Sequence, residues 1–165
     1  MTYNINKNKR KNIRLKNYDY GQNGLYFITI CIQNREHLLG RIYDEMNEVY
    51  DAGLMIEEVW KNLGKHYKGI ETKDFVVMPN HIHGIIEFEN SELRLSEVLK
   101  RFKTFTTRQY ILGIHKHNWQ PFFKKLWQRN YYEHIIRDDI SLEKLQNYIL
   151  NNPYKWEEDV LYVGN

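Results

Sequence analysis

The sequence predicts an α+β fold, with a central antiparallel sheet and helices packed on one face of it. Three observations carry this expectation. Two strand-like runs, 72–78 and 81–88, are separated by only two residues, which favours an antiparallel hairpin. Two longer segments, 52–66 and 91–111, carry their apolar residues at helical spacing. The runs follow one another as β, (β), α, β, β, α, β, α, the order of an α+β sandwich of ferredoxin-like kind.

Each element has its own signal. Gly24 to Gln33 (GLYFITICIQ) is β-branched and aromatic and reads as a strand. LLGRI at 38–42 starts a second strand or a hairpin. Met55, Ile56, Val59, Trp60 and Leu63 share a helical stripe, with Asp51 as the expected N-cap. TKDFVVM (72–78) stops at Pro79, and HIHGIIEF (81–88) returns beside it. Leu95, Val98, Leu99, Phe102 and Phe105 mark a second helix, capped by Ser91 or Ser96. Residues 113–129 read as an aromatic loop, and YYEHII (131–136) as a short strand. Ser141 opens a last helix that Pro153 ends near Asn152.

Composition narrows the function. The 165 residues match one ordinary domain, and 42% hydrophobic content supplies a core, which argues against disorder. No apolar run approaches the roughly 18–20 residues of a membrane span. The basic start has no apolar stretch behind it, so it is not a secretory signal. Cys31 is alone, which rules out an internal disulfide and fits a reducing compartment. Net charge is only +3, but residues 94–137 hold ten basic and two acidic residues, with aromatics interleaved. Such a segment suits a nucleic acid, because cations neutralise phosphates and rings stack on unpaired bases. A solvated helix face with ordinary core aromatics has the same composition.

Two constellations carry chemistry. In His81-Ile82-His83, strand alternation turns both imidazoles to one face, where they can converge on a divalent ion that needs further ligands. A hydrogen-bonded structural pair is the other reading. A histidine-triad hydrolase would need a third histidine where Ile85 stands. In Tyr148-Ile-Leu-Asn-Asn152-Pro153, the i, i+4 spacing puts Tyr148 and Asn152 on one helix face. A phenol is a weak nucleophile, yet it can attack a phosphodiester that a metal polarises. An ordinary core or surface tyrosine is the alternative, as is a structural role for His134.

Together these strings resemble a known family. FVVMPNHIHGII (75–86) resembles the HUH signature of single-tyrosine transposases, specifically the REP-associated tyrosine transposases, which are insertion-sequence transposase-like proteins. YFITICIQNREHLLGRI (26–42), LSEVLKRFKTFTTRQY (95–110), LWQRNYYEHIIRDD (126–139) and YILNNPYKW (148–156) agree in order and spacing. The resemblance implies the HUH version of the ferredoxin-like sandwich over residues 18–156. A basic flexible leader (1–17) precedes it, and a short C-terminal tail (157–165) follows. It implies Mg²⁺ or Mn²⁺ on His81, His83 and Asn152, and Tyr148 as the nucleophile that cuts hairpin, REP-like single-stranded DNA and forms a 5′-phosphotyrosine. Candidate DNA contacts are Lys100, Arg101, Lys103 and Arg108 on the second helix, and Trp127, Gln128 and Arg129 in the loop. The expected protein is a bacterial, cytoplasmic, nucleoid-associated monomer or homodimer with no membrane role. The alternative is a domesticated DNA- or RNA-binding module that has lost catalysis. A replication or conjugation enzyme of the HUH type fits less well, because Tyr148 has no tyrosine partner within a turn of its helix.

Overall fold

Strand alternation sorts the apolar residues onto two sides of one sheet, and both sides are covered. The computed structural model of the chain describes residues 23–44 and 46–164. The expected leader therefore lies outside the described residues. The elements are β1 (Gly24–Cys31), β2 (Gly40–Tyr43), β3 (Met46–Val49), α1 (Asp51–Lys61) and α2 (Leu63–His66). Next come β4 (Ile70–Met78), β5 (His81–Phe88), α3 (Leu95–His117), β6 (Tyr132–Ile136) and α4 (Asp139–Asn151), with a short 3-10 turn at Pro153–Glu158.

The main sheet has the order β4-β5-β1-β6, and every neighbour is antiparallel. Tyr26, Ile28, Ile30, Ile82 and Ile86 point to one face, where α1 and α3 bring Ile56, Trp60, Val98, Leu99 and Phe102. Phe27 and Ile85 point to the other, where α4 brings Ile149 with Leu142 and Leu145 packed against it. The helices thus lie on both faces, not one. That is the correction to the expected packing, and it puts a helix opposite the odd-numbered residues of β5.

The smaller differences have local causes. The 38–42 signal is half of a hairpin, since β2 pairs with β3. Asp51 is the first residue of α1, not its cap, so its carboxylate meets the positive end of the helix from inside. In α3 the cap is Arg94, and Glu97 accepts its backbone N–H at 3.0 Å, so neither Ser91 nor Ser96 caps it. This helix runs on to His117 because Gly113 lets the Trp119 ring pack against it. Asn118 then ends it in the left-handed region, at φ 54°. Asp138, not Ser141, caps α4: its carboxylate accepts from the Ser141 N–H at 2.7 Å.

Gly84, next to His83, leaves room for two stacked rings. A Cβ there would lie 2.5 Å from Trp60 Cζ2 and 2.9 Å from Phe75 Cδ2. Gly84→Ala is expected to cost about 1–3 kcal/mol through overpacking, read as a lower denaturant midpoint at unchanged slope.

Candidate active site

Two histidines of β5 face α4 from a nearly dry position. His81 and His83 are 0% and 2% exposed, and Phe27 stacks on the His83 ring at 5.3 Å. Each Nδ1 has a partner. His81 Nδ1 lies 2.7 Å from Asn80 Oδ1, and His83 Nδ1 lies 2.8 Å from Thr29 Oγ1. The Asn80 amide is oriented by its own donation to the Leu161 carbonyl at 3.0 Å, so its oxygen faces His81. An oxygen acceptor there puts the His81 proton on Nδ1 and leaves Nε2 as a lone pair. The two Nε2 atoms are 2.9 Å apart. Two lone pairs at that separation would repel, so His83 Nε2–H donates to His81. The Thr29 hydroxyl donates to His83 Nδ1, and it can accept instead when His83 changes tautomer. Burial holds both rings neutral. It pushes His83 down to about 4 against the opposing pull of Asp159. Burial and then the neighbouring His83 charge take His81 well below the ordinary imidazole value.

The face of α4 supplies the rest. Tyr148 Oη lies 3.4 Å from His83 Nε2 and donates to Asp159 Oδ2 at 3.3 Å. Asn152, one turn on, donates its Nδ2 to the same carboxylate oxygen at 2.9 Å. The helical spacing therefore brings both residues to the histidines, while Asn151 turns away to the Asn147 carbonyl. The Tyr148 side of the site is open, at 41% exposure, whereas Asn152 is buried. Burial, reinforced by the Asp159 charge, pushes the Tyr148 hydroxyl up to about 12. A proton so firmly held needs an acceptor or a compensating charge before the phenol can attack.

The donor set fits a divalent cation. His81, His83 and Asp159 offer ligand atoms within 4.8 Å of one another. Asn152 Oδ1 is buried with no hydrogen-bond partner, an arrangement that costs free energy unless another group pairs with it. Two neutral imidazoles and two oxygens form a mixed site for such an ion.

Sequence reasoning missed three members of this site. Asp159 belongs to the segment expected to be a short tail, yet its side chain is 1% exposed and its Oδ2 lies 4.0 Å from His81 Nε2. Thr29 and Asn80 hold the rings; alternation along β1 and the adjacency of Asn80 to His81 were the available signals. His134 is exposed on β6 and lies apart from the cluster.

The expected DNA contacts divide. Lys100, Arg101 and Arg108 are exposed on α3, with the Arg101 guanidinium over the Tyr67 ring at 5.4 Å. Arg129 is exposed and Gln128 half-buried. Lys103 binds the Gln128 and Arg129 carbonyls at 2.6 and 3.0 Å, so it braces the loop. Trp127 is 4% exposed and its indole N–H donates to Thr106 at 2.9 Å, so it offers little surface to a stacked base.

Comparisons with known proteins bear on the family and the fold. The sequence profile of the family "Transposase IS200 like" matches residues 22–152. An uncharacterised Haemophilus influenzae protein is 38% identical over 98% of this chain and 97% of its own. A candidate REP-associated tyrosine transposase of the same organism is 31% identical over 86% of this chain and 77% of its own length. Among solved structures, a REP-associated tyrosine transposase bound to a REP hairpin superposes with a TM-score of 0.63 at 22% identity, over 87% of this chain and 73% of that one. A candidate transposase from Deinococcus radiodurans gives 0.52 at 16% identity, over 84% and 95%.

Thr29→Val keeps the shape but removes the hydroxyl from His83 Nδ1. Either tautomer then leaves a buried nitrogen unpaired. The expected loss is about 1–3 kcal/mol of stability by chemical denaturation, where a conservative surface change would cost almost nothing.

Proposed function

Since the chain belongs to the IS200-like transposases, in their REP-associated tyrosine type, we propose that it cuts and rejoins single-stranded DNA through Tyr148. The carrying observation is the convergence of Tyr148 Oη, both histidine Nε2 atoms, the Asn152 amide and the Asp159 carboxylate in one chain. The relative bound to a REP hairpin supports a hairpin of that class as substrate.

The reaction is a transesterification. Tyr148 Oη attacks the phosphorus, the bond to the 3′ oxygen breaks, and the 5′ end is held as a phosphotyrosine. Asp159, which already accepts the Tyr148 hydrogen bond, receives the phenol proton. The departing 3′ oxygen takes a proton from solvent and leaves as a hydroxyl, and Asp159 then releases the phenol proton to solvent. The phosphodiester energy is kept in the tyrosine ester, so another 3′-OH can reverse the step without ATP. His81, His83 and Asn152, with Asp159 as a further oxygen, would hold Mg²⁺ or Mn²⁺. When bound there, such an ion would supply Lewis-acid polarisation of the scissile phosphate and stabilise charge on the leaving oxygen. Asn80 and Thr29 keep the rings aimed inward. Tyr148 meets the histidines of its own chain, which supports attack in cis.

Two outcomes are expected. With labelled hairpin DNA and Mn²⁺, the wild-type protein forms a covalent band on a denaturing gel. EDTA removes it, and Tyr148→Phe abolishes it while binding stays within about twofold. Tight binding by the wild type with no band on any hairpin would instead identify a non-catalytic binding module. Asn80→Ala, which frees the His81 ring, is expected to weaken Mn²⁺ binding by about 10–100-fold in calorimetry.

A further inference from the structure

The basic segment of the sequence folds into two adjoining cation groups that share Arg108. Lys100 and Arg101 lie beside Tyr67. The other group surrounds a cup of about 450 Å³ between the C-terminal half of α3 and the 122–129 loop. Arg108, Lys124, Lys125 and Arg129 line it together with the half-buried Phe122, and no acidic residue is among its walls.

The loop is built to present these groups. Lys103 clamps it from α3 through two carbonyls. The backbone N–H of Gln128 bonds the Cys31 carbonyl at 2.9 Å, and Trp127 bridges to Ile32. Its tip turns sharply: Lys124 has φ 60°, and the Lys125 N–H closes on the Phe123 carbonyl at 2.7 Å. A non-glycine residue in that region carries strain that the surroundings must hold. The turn leaves Phe123 62% exposed, with Lys124 Nζ over its ring at 5.0 Å. An aromatic ring exposed among cations is a poor solvent surface and a good stacking platform.

The cup is tied through Gln128 to the end of β1 that pairs with His81. Cys31 is the register partner of His81, and it lies within electrostatic reach of Arg35, Asp159 and Lys103. Burial and the nearby Lys125 charge push Lys103 down to about 8, a strain that an anion beside it would relieve.

We propose that this cup receives the unpaired strand of the DNA, with Phe123 stacking a base while Arg108, Lys124, Lys125 and Arg129 hold the adjoining phosphates. This rests on the reading of the chain as a single-stranded DNA transferase, and it assigns the strand flanking the hairpin to a site that the catalytic residues do not define.

The test compares two labelled DNA hairpins of one stem, one blunt and one with a single-stranded flank, by fluorescence anisotropy. Wild type should bind the flanked hairpin more tightly. Phe123→Ala should weaken that binding about tenfold and leave the blunt hairpin within about twofold. The double variant Lys124→Ala/Lys125→Ala should lower the salt dependence for the flanked hairpin by about one to two units of log–log slope. Arg108→Ala, on the helix wall, should repeat the selective loss without touching the loop. Equal losses on both hairpins, no loss on either, or a wild type that binds neither would overturn the cup. Adduct formation is read separately: wild type that binds the flanked hairpin but never forms the covalent band overturns the reaction and leaves the affinity comparison valid.

Discussion

The site depends on two buried imidazoles held in a T-shaped pair, Nε2 toward Nε2. Each has its outer nitrogen committed to a neighbour, Asn80 or Thr29, so each can turn only its Nε2 inward. Burial keeps both neutral near pH 7, which is the state in which a nitrogen lone pair is available. The cost of that burial is met by packing. Phe27 covers one ring, Trp156 lies 5.9 Å from the other, and the sheet backbone fixes their spacing. Without a dry pocket the histidines would titrate near their ordinary value and bind water instead of one another.

The rest of the fold serves that pocket by dividing the sheet. On the α1 and α3 face, large side chains make a core that holds β5 and β1 in register. The opposite face has a much smaller apolar cluster, and α4 rests on it through Ile149. Tyr148 and Asn152 flank that anchor on the helix, so one buried isoleucine sets the height of both above the histidines. The 3-10 turn that Pro153 begins then brings Asp159 back under α4. Tyr148 is left as the most exposed member of the group, the one that must meet a substrate.

The legible parts of the site were those governed by short periods. Alternation in β5 put His81 and His83 on one face, and the helical repeat put Tyr148 with Asn152; both relations survive any error in element boundaries. The α+β order was legible for the same reason, although the second helical face was not, because periodicity says which residues are apolar and not what covers them. Asp159 could not be read. It reaches the histidines through a turn whose path depends on Trp156 packing against His37 and His81, a contact between distant segments. The burial of Trp127 was hidden for a related reason. Its neighbours in sequence are polar and basic, but the bridge to Ile32 pulls it inward, where Thr106 satisfies its N–H. The end of α3 was misplaced because Gly113 reads as a breaker, whereas here its missing side chain accommodates Trp119.

Charge follows the same division. A cation near the histidines would compete with a metal for the lone pairs, and the described residues that touch the pair are neutral apart from Asp159. The two cation groups of the basic segment stand instead on α3 and its following loop, while Arg35 reaches His81 only through its charge. A phosphate backbone attracted to that side has to pass the end of β1 to bring a phosphodiester to Tyr148. In the proposed reaction, the separation would let one strand be held by screened, salt-sensitive contacts at one place and cut beside the buried histidines at another. Grip and chemistry can then vary independently, because the residues that set each lie on opposite faces of the sheet and share only its hydrogen-bonded frame.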